Sequence, residues 1–268
     1  MIVLSLCHLE AKVILHIHYA ELKNLLPENM ILKRLAINLL RTVPDKIVFL
    51  SKATCEEITA LGIDKNKTTF IYNFQDSTYS FDEISKKIDA VETNESLRIL
   101  FMGSLDERKG IVDLLKSLEN IKIPYELNIC GLSANDEIEK RMDIVISNLT
   151  GKIHKCGYVT GEEKKNIYYY SDILVLPSYG EGFPLVLLEA AASGCAIIST
   201  NVGAIPEVFG EKNGFIIEPG DIWGLTSSLI ALSQKEKLKD IMINNYELSK
   251  SYTVEAFITN ICNTIIST

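Results

Sequence analysis

Two glutamates, Glu181 and Glu189, stand eight positions apart at the ends of the run EGFPLVLLE, which follows a β-branched stretch, ILVL, closed by Pro177. A strand that ends at Pro177 and a helix that opens near Phe183 put this run at the carboxyl end of a strand. Unpaired amides and the helix dipole at such a point favour an anion such as a diphosphate. Gly182 lets backbone approach closely, and Pro184 has no N–H to give, so the donors would be the amides around Phe183, Leu185 and Val186. Eight positions span about two turns, so the carboxylates can address different parts of one extended ligand. A carboxylate accepting two hydroxyl protons suits a vicinal diol such as ribose, the role assigned to Glu189, with Glu181 at the far end of the ligand. Spacing alone also admits a plainer reading, in which Glu181 is a loop charge and Glu189 a solvated helix charge. Glu189 is nevertheless flanked by Leu187, Leu188, Ala190 and Ala191, and a carboxylate so placed needs a partner.

The elements that must position these residues follow from hydrophobic periodicity. From Leu97 onward, short β-branched runs alternate with helical patterns, beginning LRILFMGSL, GIVDLLKSLENI, YELNICG and continuing to NGFIIEP. Strands alternating with helices imply an α/β fold with a parallel, doubly wound sheet, because right-handed crossovers cover both its faces. Upstream, KVILHIHYAEL, a helical segment after Pro27, DKIVFLSKA, a short helix near Glu56 and TTFIYNF read as the later part of a second domain of the same kind, its first strands missing. The expected division is residues 1–95 for this partial domain and a polar linker without a clear strand, 96–252 for the complete domain, and 253–268 for a last helix, capped by Thr253, that packs back toward the first domain. The amphipathic segment 30–43 carries Lys33, Arg34 and Arg41 beside Ile31, Leu32, Leu35 and Leu39. Its stripe is expected to face a neighbouring sheet, with contact at a membrane surface as the alternative.

With 47% hydrophobic and 23% charged residues, the chain has the apolar mass of an ordinary globular protein. A formal net charge of −8 argues against a nucleic-acid partner, which requires an excess of Lys and Arg on one face. The six cysteines include no C-x-x-C pair and read as buried free thiols of a reducing, cytoplasmic compartment. His8, Glu10, Lys12, His16 and His18 interrupt the apolar N-terminal stretch, so neither a signal peptide nor a spanning helix fits. The four histidines are not spaced as a metal site, and His8, His16 and His154 are assigned structural roles.

EGFPLVLLEA resembles the E-x7-E signature of glycosyltransferase family 4, and the neighbouring motifs agree in order. FMGSLDERKG is similar to that family's G-R-L loop and K-G helix start, the stretch around Gly157 and Val159 to its G-y-V loop, and VGAIPEVF to its G-x-x-E segment. In the first domain HIHYAEL, DKIVFLSKA and FIYNFQD resemble its H-x-H-G, a-D-x-i-x-x-S and v-I-p-N-G-v-D. The likeness covers nearly the whole chain.

The resemblance implies a GT-B fold of two Rossmann-like domains and a retaining transfer of sugar from a nucleoside diphosphate donor, UDP being the commonest, to a glycan or lipid-linked acceptor. Lys109 would contact the diphosphate and take the place of a metal, in keeping with the absence of any Asp-x-Asp. Arg108 can substitute for it, and Ser104 stands where the family usually has Arg. Val159 would meet the base, and Glu181, with His18 across the cleft, would face the reacting carbon. The implied catalytic set is Glu181, Lys109 and His18. The implied donor set is Ser104, Arg108, Lys109, Val159, Glu181, Gly182, Phe183, Leu185, Val186 and Glu189, with no metal or cofactor. Cell-surface polysaccharide or glycoconjugate synthesis by a cytoplasmic enzyme is the expected setting, with peripheral contact at the inner face of the membrane as the alternative. Because the first domain is short, a donor-binding remnant, or a subunit whose acceptor side a partner protein completes, stays open. A nucleotide-sugar 2-epimerase is a further alternative.

Overall fold

The computed structural model describes residues 12–18, 26–119 and 121–266, and Cys7, His8 and the end of HIHYAEL past His18 lie outside them. Two parallel sheets organise the chain. The first has the order β1 (Ile14–Ile17), β2 (Lys46–Phe49), β3 (Thr68–Phe70). Helix α1 (Met30–Thr42) links β1 to β2, and α2 (Lys52–Ala60) follows β2. The second sheet has the order β6-β5-β4-β7-β8-β9 and comprises β4 (Leu97–Met102), β5 (Tyr125–Cys130), β6 (Lys152–Gly157), β7 (Ile173–Leu176), β8 (Ala196–Thr200) and β9 (Gly214–Ile217). Helices α4 (Ile111–Leu118), α5 (Asp136–Ile146), α6 (Gly161–Tyr169), α7 (Leu185–Ala192), α8 (Ile205–Val208) and α9 (Ile222–Leu232) form the crossovers and the helix after β9.

Burial explains the strand sequences. ILVL of β7 and AIIST of β8 are buried at every position, as central parallel strands covered on both faces must be. β6 is an edge strand and carries exposed Lys152 and Lys155, which discourage a further strand from pairing there. Helix starts follow their caps. Asn135 accepts Ile138 N at 2.9 Å, and Thr253 accepts Ala256 N at 3.2 Å at the start of α11 (Val254–Ile266).

Three expectations need correction. The stretch between the domains contains α3 (Phe81–Ala90), started by a capping box of Ser80 and Glu83. This helix packs on α10 (Lys235–Ser249) and buries Ile84 against Ala192, so it belongs to the second unit and the boundary falls before it. Helix α1 buries no residue, and Ile31, Leu32, Leu35 and Leu39 are exposed, so the stripe does not face the sheet. The apolar residues that pack inward are on another face, Leu40 among them. Cys130 and Cys195 are buried free thiols, whereas Cys262 is exposed.

Lys87 of α3 is wholly buried and donates to Tyr168 O at 3.0 Å, Ser193 O at 2.7 Å and Cys195 Sγ at 3.3 Å. Burial pushes its pKa below the usual 10.5. Between the lowered value and 10.5 the unfolded chain holds more protons, so this residue makes stability rise with pH, in full only above 10.5. Lys87→Met is expected to flatten that rise. Urea unfolding of both proteins from about pH 7 to about pH 10 reads the difference, and parallel slopes would mean that Lys87 stays charged in the fold.

Candidate active site

Strand order reverses between β4 and β7, so the loops leaving their carboxyl ends open a crevice at the switch point of the sheet. From β4 the chain passes Gly103 and Ser104 into a 3-10 turn, Glu107–Lys109, capped by Asp106, whose Oδ1 accepts Lys109 N at 2.8 Å. Gly110 then takes φ +72° and opens α4. A Cβ there would lie 2.2 Å from Pro177 O, so glycine is what lets the two loops touch. Tyr179 N donates to Arg108 O at 2.7 Å and closes the seam.

Across this seam Lys109 Nζ meets Glu181 Oε1 at 2.5 Å, and the same oxygen accepts Ser178 Oγ at 2.6 Å. The side chains keep only 15% and 7% of their exposure. Glu189 is engaged separately. Its Oε1 accepts Lys164 Nζ at 2.6 Å and its Oε2 accepts Tyr168 OH at 2.8 Å. Burial, reinforced by Glu189, holds the Tyr168 hydroxyl well above the ordinary tyrosine range, so it remains a donor.

A cavity of about 500 Å³ opens here, with Gly103, Ser104, Gly131, Val159, Lys164 and Val186 in its wall. That is the size of a small-molecule site. Lys109, Glu181 and Glu189 are not in that wall; Lys109 and Glu189 lie next to residues that are, and Glu181 lies behind Lys109. Lys109 Cδ lies 4.0 Å from where a Cβ on Gly103 would sit, and Lys164 joins Glu189 to the wall.

Helix α7 opens two residues later than expected. Pro184 is its N-cap in extended conformation, and Phe183 is buried, its ring 5.5 Å from that of Tyr72 and 6.4 Å from that of Phe209. Leu187 N is taken by Pro184 O, while the amides of Leu185 and Val186 find no acceptor among the described residues. Arg108 does not line the first cavity. Its Nη1 donates to Gly180 O at 2.8 Å, and it faces a second hollow of about 390 Å³ with Asp113 and Tyr179. Ser104 lines the first cavity, its Oγ donating to Asp106 Oδ2 at 2.7 Å. His18 is exposed just past β1, its ring 4.2 Å from that of His16, and among the described residues nothing joins it to Lys109 or Glu181.

Sequence reasoning missed Lys164, Tyr168 and Ser178. A signal for the first two was present, since the apolar flanks of Glu189 demanded partners, but nothing local said which helix would supply them.

Two parallel sheets, with a lysine, a carboxylate and an open helix end at the switch point of the second, make an α/β protein with the fold of GT-B glycosyltransferases. The chain belongs to the glycosyl transferases group 1 family, which it matches over residues 80–248. It is 31% identical over 184 residues to an uncharacterised 41.2 kDa protein in the cps region of Klebsiella pneumoniae, covering 68% of this chain and 46% of that one. It is 26% identical over 208 residues to the capsular polysaccharide biosynthesis glycosyltransferase CapM of Staphylococcus aureus, covering 75% and 52%. The chain thus spans about half the length of these relatives. Among solved structures, Anabaena Alr3699/HepE in complex with UDP superposes with a TM-score of 0.80 over 96% of this chain and 72% of that one, at 18% identity.

Removing one partner of a buried pair leaves the other charge uncompensated. Lys109→Met is expected to cost about 1–3 kcal/mol of stability, and the double variant Lys109→Met, Glu181→Gln less than the single one. Urea unfolding of the four proteins of the cycle measures this, and strictly additive losses would show that the two side chains do not interact.

Proposed function

We propose that the chain holds a nucleoside diphosphate sugar, UDP-linked, in the crevice and transfers its sugar, with retention of configuration, to an acceptor hydroxyl in cell-surface polysaccharide synthesis. The observation that carries this reading is the Lys109–Glu181 pair at the switch point, beside the open end of α7 and behind the wall of the cavity. In this reading the diphosphate draws Lys109 away from Glu181, and the ammonium and the α7 amides hold the charge that develops on the leaving oxygen. Glu181, released, faces the reacting carbon. Glu189, steadied by Lys164 and Tyr168, takes the ribose hydroxyls, and Val159 meets the base. Lys109 and the helix end supply the positive field, so the reaction proceeds without a metal or cofactor. Support comes from the names of relatives, among them the O-antigen chain mannosyltransferase B of Escherichia coli, and from a HepE structure in complex with UDP-glucose.

A second reading, in which the chain binds donor and needs a partner protein for the acceptor side, is favoured by His18, which stands exposed just past β1 with nothing among the described residues joining it to Lys109 or Glu181. The acceptor is placed on a lipid at the inner face of the membrane. In support, α1 exposes its apolar stripe and carries Lys33, Arg34 and Arg41 with no acidic residue. Among the described residues no helix is long and apolar enough to cross a membrane.

Incubation with radiolabelled UDP-sugars and a lipid-linked glycan separates the readings, because donor binding without labelled product rejects transfer by the chain alone. Glu189→Ala is expected to weaken UDP binding by about 1–3 kcal/mol in calorimetry, and unchanged affinity would remove the ribose role. Lys109→Ala should lower the transfer rate more than donor affinity. A chelator should leave the rate unchanged, and loss of activity restored by a divalent cation would overturn the metal-free mechanism.

A further inference from the structure

The segment from Gly203 to Val208 is tied on two sides. Toward the loop that presents Glu181, Ala204 N donates to Gly182 O at 2.9 Å. Gly203, at φ +56°, lies so close that a Cβ would come within 2.2 Å of Glu181 O and 2.5 Å of Gly182 O. Toward the N-terminal unit, Glu207 of α8 receives three donors. Lys52 N reaches Oε2 and Ala53 N reaches Oε1, each at 2.8 Å, and Tyr72 OH reaches Oε2 at 2.8 Å. A second tie runs directly between the units, where Asn73 Nδ2 donates to Phe183 O at 2.7 Å.

The chemistry of the first tie is a helix cap divided between two units. The first amides of α2 have no intrahelical acceptor. Ser51, the residue before the helix, accepts Thr54 N at 3.0 Å, and the two preceding amides go to a carboxylate more than 150 positions away. Separation of the units therefore takes this acceptor from two amides and takes from Glu207 its three donors. The same segment that holds this carboxylate forms one wall of the Glu181–Gly182 turn, and Asn73 holds the next carbonyl. Both ties thus run from the loop at the proposed donor site into the N-terminal unit.

We propose that Glu207 and Asn73 are positioning residues that link occupancy of the diphosphate site to the seating of α2 on the second unit. The proposal rests on the reading that the crevice takes a nucleoside diphosphate. Linkage of this kind is reciprocal, so a ligand that fixes the 181–183 loop must also steady the amides of Lys52 and Ala53, neither of which lines the cavity.

Hydrogen exchange of the full chain, with and without saturating UDP, GDP or ADP as calorimetry selects, provides the test. Bound nucleotide is expected to slow exchange severalfold in the segment covering Lys52 to Thr54. Glu207→Gln presents an amide N–H to backbone N–H donors, and Asn73→Ala removes the direct tie. Both variants should still bind nucleotide, and both should lose the nucleotide-dependent slowing at α2, while slowing around Gly103 and Val159 persists. Circular dichroism establishes that each variant is folded, and the two lie on different units, so a folding defect in one leaves the other to decide. Nucleotide binding with no change at α2 in the unsubstituted chain, or full retention of the change in both folded variants, overturns the coupling. If none of the three nucleotides binds the unsubstituted chain, the donor reading itself fails and the coupling falls with it.

Discussion

One buried ion pair sets the terms for the rest of the molecule. Lys109 and Glu181 lie 72 positions apart and meet because β4 and β7 are neighbours at the point where the strand order of the sheet reverses. Taking both charges out of water is costly unless each is compensated. The fold therefore holds the two loops rigidly together, through the close approach of Gly110 to Pro177, the backbone bond from Tyr179 to Arg108 and the hydroxyl of Ser178. Held in this way, the ammonium and the carboxylate compensate each other within the seam.

The remainder of the site is arranged around that pair by layers of the same sheet. α6 brings Lys164 and Tyr168 to Glu189, and the carboxylate on an apolar helix is thereby satisfied. The loops after β4, β5 and β6 wall the cavity. The N-terminal unit meets this assembly through side chains with both apolar and polar parts. Tyr72 lies beside Phe183 and Tyr252 and donates to Glu207, and burial and that carboxylate hold its hydroxyl well above the ordinary tyrosine range. Helix α11 returns to the first unit, where Phe257 packs against Phe74 and Gln75 pairs with Thr253. Contact between the units is thus built largely from aromatic rings and shared caps.

The alternation of β-branched runs with helical periods determined the parallel doubly wound sheet, because side-chain period and length act within a few residues of one another. The same local physics placed the cap at Thr253 and put the E-x7-E run after a buried strand. Tertiary structure alone decided which loops became neighbours. That choice joined Lys109 to Glu181, turned Arg108 toward Gly180, gave Glu189 its partners from α6, and sent Glu207 to cap a helix of the other unit. It also assigned α3 to the second unit and left the apolar stripe of α1 uncovered, since an amphipathic period states that a face is apolar and not what will cover it. Pairings across loops depend on strand order and crossover path, which are settled by packing over the whole domain, and no window of sequence contains them.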